Sequence, residues 1–374
     1  MKIGIDLRTL ISGNFSGIPG FTYELTKTIL ENDTQNEYFG FYNSYKKKKL
    51  PNLGSINVSE LNIPNKILNP MMSIFRYPKI DKILNTEVLY MPHFNFNACT
   101  EDSFKVITVH DLSFVRYPEF FSFKNNLWHK LIQIKKTLKK FDKIVAISKN
   151  TKKDLIELFN VPEEKIEVVY SGVSDKYRVL DKESQELRDV KLKHALPNNF
   201  ILSLGTIEPR KNIDSLIRAF DIFKEGDSTE CHLVIAGGLG WKYKKTLEKL
   251  KKAKHKKYIK LLGFVDEDDK TALYNLASVF AFPSYYEGFG FPPLEAMKCG
   301  TPTIVSANSS LFEVVDNSSY LINPYDINDL ARALKELLSN SALRNDFTSS
   351  GLANVKQFNW GNTANKYLEV FSKK

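Results

Sequence analysis

Residues 279–306 write a strand, a turn, a helix and a second strand into one short segment, and that succession commits the chain to parallel sheet. Val279-Phe-Ala-Phe282 is an unbroken apolar run of buried-strand type. The stretch Ser284-Tyr-Tyr-Glu287-Gly-Phe-Gly290-Phe-Pro-Pro-Leu-Glu295-Ala-Met297 follows, and Pro292-Pro293 suit a first helical turn, where a missing N–H costs nothing. Gly300 falls where a helix stops, and Thr303-Ile-Val-Ser306 resumes as strand. On this reading Glu287 lies on the loop and Glu295 in the first helical turn, so both face one ligand. The glycines admit backbone amides close to that ligand, and the helix start favours an anionic group. Carboxylates accept hydrogen bonds from hydroxyls and helix-start amides bind phosphate; a nucleotide-diphosphate sugar offers both partners.

The same alternation runs nearly end to end. Strands are predicted at residues 2–7, 38–42, 55–61, 88–91, 106–110, 143–147 and 167–169, and again at 200–205, 232–236, 259–262, 279–282 and 303–305. Residues 212–224 carry apolar side chains at Ile213, Leu216, Ile217, Phe220 and Phe223, a helical stripe with Asn212 as N-cap and Gly226 as stop. At 374 residues the chain has room for two cores. The expected architecture is α/β, two doubly wound parallel-sheet domains facing a central cleft: residues 1–175, a charged connection at 176–197, and 198–358, with the amphipathic segment 359–374 as a last helix. Ligands of such sheets bind outside the carboxyl ends of the strands.

Glu287 and Glu295, with seven residues between them that include Gly288-Phe289-Gly290-Phe291-Pro292, resemble the donor-site signature of the retaining family 4 glycosyltransferases of the GT-B fold. The resemblance covers nearly the whole chain, and its motifs stand in the expected order. It implies that Glu287 meets hydroxyls of the donor sugar and Glu295 the ribose of the nucleotide, with Gly288, Phe289, Gly290 and Phe291 shaping the site. It also implies that segment 359–374 packs back on the N-terminal, acceptor-side domain.

Leu204-Gly205-Thr206-Ile-Glu-Pro-Arg210-Lys211-Asn212 ends a strand and enters a helix. An arginine fork and a lysine point charge there form a cationic clamp for a diphosphate, whose charge grows as the glycosidic bond breaks. His110 closes the strand Lys105-Val-Ile-Thr-Val-His110, and the family resemblance sets it beside the reacting sugar. Catalytic roles are therefore expected for His110, Arg210, Lys211 and Glu287. The resemblance adds Gly17, in the loop Ser12-Gly-Asn-Phe-Ser-Gly17-Ile-Pro19-Gly20, near the donor phosphates; Pro19 and Gly20 depart from the family pattern there. It also brings Gly263 and Val265 to the nucleotide base. Gly237-Gly-Leu-Gly240 is not G-x-G-x-x-G, and no phosphate-loop lysine motif occurs, which argues against dehydrogenase and ATPase readings.

Cys99, Cys231 and Cys299 are far apart and suit a reducing compartment. No apolar run reaches the ~20 residues a bilayer span needs, and the N-terminus lacks signal-peptide organisation, so a cytoplasmic protein is expected, at the inner face of the membrane if its acceptor is lipid-linked. The net charge of +10 admits nucleic acid, anionic lipid or anionic substrates as partners. Residues 122–143 read as a basic amphipathic helix suited to an anionic surface, with the lysine run 46–49 a second basic stretch. The reading favoured is transfer of a hexose, mannose from GDP-mannose, to a saccharide or lipid-linked saccharide acceptor in surface polysaccharide or lipopolysaccharide synthesis. No cofactor and no metal are expected, and no nucleic acid. UDP- or dTDP-sugar donors, an epimerase or phosphorylase on the same fold, and a nucleic-acid-binding protein are the alternatives.

Overall fold

The structure is a computed structural model that describes residues 1–12, 17–46, 48–226 and 230–374. The chain forms two compact units, one of residues 1–112, 124–172 and 358–374, the other of residues 113–123 and 173–357.

In the first unit, β1 (Lys2–Asp6), β2 (Glu37–Asn43), β3 (Asn57–Leu61), β4 (Val88–Met91), β5 (Phe104–Val109), β6 (Lys143–Ala146) and β7 (Ile166–Val168) build one sheet. Its order is β3-β2-β1-β4-β5-β6-β7, and every neighbouring pair is parallel. The order changes direction between β1 and β4, the point where such sheets open to ligands. The helix Trp360–Phe371 packs beside the helix Ile18–Asn32. It is pinned by a buried hydroxyl chain: Thr108 Oγ1 lies 2.7 Å from the Tyr367 hydroxyl and 2.8 Å from that of Tyr90.

The second unit has β8 (Phe200–Leu204), β9 (His232–Ala236), β10 (Ile259–Gly263), β11 (Val279–Phe282), β12 (Thr303–Ser306) and β13 (Tyr320–Ile322). They lie in the order β10-β9-β8-β11-β12-β13, all parallel. The reversal falls between β8 and β11, the strands whose loops carry Arg210-Lys211 and Glu287. Strands β8, β11 and β12 are buried along their whole length, as expected of a sheet covered on both faces.

The predicted strands match within one or two residues, and the α/β class holds. Among the described residues only β13 escapes the sequence, being three residues long between Ser318-Ser319 and Asn323-Pro324. Three expectations need correction. Residues 176–197 are not a bare connection but part of the second unit, where the helix Gln185–Lys193 packs on the helix Lys270–Leu276. Only Leu187 and Val190 of that helix are buried, too few to show through its charges. Residues 113–123 also belong to the second unit, because their aromatic side chains are used there: Phe120 stacks on Tyr285, Phe121 stacks on Trp241, and Trp241 Nε1 donates to the Phe120 carbonyl at 2.5 Å. Residues 122–143 are not one helix. The helices Phe123–Ile132 and Ile134–Leu138 are separated by Gln133 at φ 49°. Leu127 and Leu131 are exposed while Ile132, Ile134 and Leu138 are buried, and a straight helix cannot present both sets.

Candidate active site

At the reversal of the second sheet, two loops are laced together. The loop after β8 tightens into the turn Pro209–Lys211, then Asn212 takes a left-handed conformation and the helix Ile213–Glu225 begins. Asn212 holds the N-cap position without capping; its Nδ2 donates to the Pro324 carbonyl at 2.9 Å. The loop after β11 leads through Gly290, at φ 129°, into the eight-residue helix Phe291–Lys298 with prolines in its first turn. A side chain at Gly290 would be strained at that φ and would press on Leu311 at 2.9 Å.

The charged side chains of both loops meet. Arg210 Nη1 donates to Glu287 Oε2 at 2.5 Å and to the Tyr286 carbonyl at 2.9 Å, and Arg210 Nε donates to Glu208 Oε1 at 3.0 Å. Lys211 Nζ donates to Glu287 Oε1 at 2.7 Å and lies over the Phe282 ring. The Tyr285 N–H donates to the Arg210 carbonyl, closing the seam. Glu287 is buried; burial pushes its pKa up, but Arg210 and Lys211 outweigh that and hold it down at about 2. The clamp expected to be cationic is thus formally balanced by Glu208 and Glu287, since two unpaired cations at this depth would be costly.

Three residues the sequence did not single out hold the Glu287 loop from the next strand end. Ser310 Oγ donates to the carbonyls of Glu287 and Phe289, each at 2.8 Å. Ser309 Oγ accepts from the Glu287 N–H, and Asn308 Nδ2 donates to the Tyr285 carbonyl. A polar Asn-Ser-Ser turn straight after a predicted strand was the available signal.

Glu295 is in the second helical turn, not the first, because the helix starts at Phe291. It accepts from the Tyr274 hydroxyl at 2.8 Å, and burial raises its pKa above the usual carboxylate range. The two glutamates therefore have different settings: Glu287 bonds to cations, Glu295 to a tyrosine. Gly205 and Thr206 are on the Arg210 loop, and the loops after β9 and β10 adjoin it. The Gly205 carbonyl would lie 1.9 Å from a Cβ at Gly237, so that close approach, not a dinucleotide fingerprint, explains the glycine. The Gly237 N–H donates to the Gly263 carbonyl at 2.7 Å, and Val265 is buried two residues on.

His110 and Gly17 lie in the first unit. His110 follows β5 and is buried, with Nε2 2.7 Å from the Pro92 carbonyl. A carbonyl only accepts, so Nε2 carries the proton. Burial lowers the His110 pKa to about 4 against the opposing effects of Pro92 and Asp111, leaving the ring neutral at pH 7. Its edge meets Phe21 at 4.7 Å between centroids, four residues beyond Gly17, the helix N-cap at φ 63°. Residues 13–16 of the glycine-bearing loop lie outside the described residues.

The expectation of no metal took the chain to hold no Asp-x-Asp, but one occurs, Asp266-Glu267-Asp268. Asp266 pairs with Lys193 at 3.2 Å, Glu267 with Lys176 at 2.9 Å and with Lys270, and the adjoining Asp269 with Lys193 and His194, each at 2.7 Å.

Residues 184–353 match the model of glycosyl transferases group 1, and residues 76–177 that of glycosyltransferase family 4. The O-antigen chain mannosyltransferase B of Escherichia coli is 30% identical over 292 residues, 78% of this chain and 74% of that protein. This chain belongs to glycosyltransferase family 4. The family 4 chain is also 35% identical over 240 residues to the serotype-specific mannosyltransferase WbdA of Escherichia coli, covering 62% of this chain but 29% of the relative. It thus spans less than a third of that protein's length. Among solved structures, sucrose-phosphate synthase of Thermosynechococcus elongatus superposes with a TM-score of 0.77 at 18% identity, covering 100% of this chain and 98% of that one. The fold is GT-B.

Proposed function

We propose that this chain transfers mannose from GDP-mannose, with retention at the anomeric carbon and without a metal ion, to a saccharide or lipid-linked saccharide acceptor of surface polysaccharide synthesis. The observation that carries the reading is the Arg210–Lys211–Glu287 cluster at the reversal between β8 and β11. Negative charge grows on the β-phosphate as the sugar leaves, and a guanidinium and an ammonium held in a low-dielectric setting stabilise it with little reorganisation. Glu287 keeps both cations ionised and aligned, and offers an acceptor to sugar hydroxyls. Glu295 is assigned to the ribose, and His110, neutral with Nε2 committed to Pro92, to contact with the donor sugar rather than to general-base work. The mannosyltransferase names of the relatives support the sugar. No helix among the described residues is long and apolar enough to cross a membrane, so a lipid-linked acceptor implies peripheral contact with an anionic membrane face.

The test is a thermal-shift series with GDP, UDP and dTDP in EDTA, followed by transfer from the stabilising nucleotide's mannose and by NMR of the product anomer. A ligand at 100 times its Kd stabilises by ~2.7 kcal/mol. GDP-selective stabilisation and an α-linked product are expected. No response to any nucleoside diphosphate would overturn the proposal; dependence on manganese would overturn its metal-free part.

A further inference from the structure

The first unit carries an exposed apolar surface that neither core nor candidate site uses. The helix Asn65–Ile74 buries Leu68 and Met72 against Phe41, Leu84 and Leu89. Its other side presents Ile67, Pro70 and Ile74, one stripe at helical spacing, and the chain beyond adds Phe75 and Tyr77. Ile74 and Phe75 are 71% and 74% exposed. A single exposed apolar side chain is ordinary, but a run of them is not.

The charge around this stripe has one sign. Lys66, Arg76 and Lys79 are exposed beside it, and residues 61–80 contain no aspartate or glutamate. The loop after β2 extends the patch, because Asn43 Nδ2 donates to Asn65 Oδ1 and to the Ile63 carbonyl, each at 2.8 Å, tying that loop to the helix start. It contributes exposed Tyr45, Lys46, Lys48 and Lys49. Right-handed crossovers place the connections from β3 to β4 and from β5 to β6 on the same face of the sheet. The lysine-rich residues 124–140 therefore share a layer with this helix.

We infer that this stripe is a docking surface for an anionic lipid bilayer, an inference that rests on the lipid-linked acceptor proposed above. Aliphatic and aromatic side chains ringed by lysine and arginine match the acyl boundary and the phosphate layer of a membrane together. A nucleic acid would use the cations but gain nothing from Ile67, Ile74 or Phe75. The assignment moves the insertion surface from residues 122–143 to Asn65–Tyr77, with the lysines of the former adding attraction.

Sedimentation of the full chain with vesicles tests it. Phosphatidylglycerol vesicles should pellet the protein at low salt, and phosphatidylcholine vesicles should not. The double variant Ile74→Ser/Phe75→Ser leaves the charge unchanged and should lower partitioning by at least about tenfold, as loss of two inserted side chains requires. Its melting temperature and nucleoside diphosphate response should match those of the unaltered protein, since both side chains are exposed. Absence of pelleting at low salt, or pelleting by the double variant equal to that of the unaltered protein, would overturn the assignment. So would a dimer in sedimentation velocity that the double variant abolishes, because the stripe would then cover a second copy. Vesicle binding needs neither donor nor acceptor. A chain that binds vesicles but shows no nucleotide response would refute the transferase proposal alone; the reverse would refute only this surface.

Discussion

The two units share one architecture, yet their candidate site residues are set in opposite ways. In the second, the loops after β8 and β11 meet through paired charges, with Glu287 bonded to both Arg210 and Lys211. In the first, Arg8 pairs with Asp6 at the end of β1, but the candidate residue His110, after β5, is a neutral histidine against a phenyl ring and a carbonyl, with a hydroxyl chain beneath. Charged groups are needed where a diphosphate's charge changes during reaction, and they must be balanced while the ligand is absent. Neutral groups suffice where a sugar is only oriented. The division of labour proposed for this chain follows from that contrast.

The largest effect expected falls on the charged side. Arg210→Ala and Lys211→Ala should each lower turnover roughly 10²–10³-fold, the cost of losing a partner for transition-state charge, while circular dichroism shows the fold retained. Near-normal rates in both variants would erase the distinction between the units.

Acid stability sharpens the contrast next. Glu287 titrates at about 2 in the folded chain against 4.5 for an ordinary glutamate. Because the folded value is the lower one, its stabilisation is complete above pH ~4.5 and is lost as pH falls toward ~2, by about 3 kcal/mol in all. Denaturation midpoints across that window should flatten in Glu287→Gln relative to the unaltered chain. An unchanged slope would mean that the ion pairs do not hold in solution.

On the neutral side, Thr108→Val removes the hydroxyl between Tyr90 and Tyr367 and leaves buried phenols short of a partner, at a cost of about 1–3 kcal/mol. Urea titration should register it while nucleoside diphosphate affinity stays constant; a matching loss of affinity would contradict the assignment of nucleotide binding to the second unit. The smallest change is the absence of one. His110, held at about 4, should keep the NMR shifts of a neutral ring from pH 8 down to about 5. An inflection near 6.5 would mean that the ring is open to water.

The second unit was the more legible because its signals are local. A glycine turn, a proline pair and an Arg-Lys-Asn run each declare themselves within a few residues. Contacts across long separations did not: nothing in the sequence ties Glu287 to Arg210, 77 positions earlier, or shows that Glu208 and Glu287 neutralise the clamp. Glu295 was placed one turn too early because Pro292-Pro293 read as the start of the helix, whereas it begins at Phe291, straight after Gly290. The hydroxyls of Ser309 and Ser310 bond to backbone atoms, which leaves no periodic trace. Residues 113–123 fell within the expected first domain, 1–175, because nothing in the sequence joins their aromatic side chains to the stacking partners Tyr285 and Trp241.

Calorimetry of GDP and guanosine with the unaltered chain and with Lys211→Ala, in EDTA, addresses the central claim most directly. Under the account given, GDP binds the unaltered chain far more tightly than guanosine does, and Lys211→Ala cuts GDP affinity at least about tenfold, as loss of a charge-assisted bond requires, while leaving guanosine unaffected. Equal GDP affinity in the two proteins would contradict a diphosphate site built on Arg210, Lys211 and Glu287.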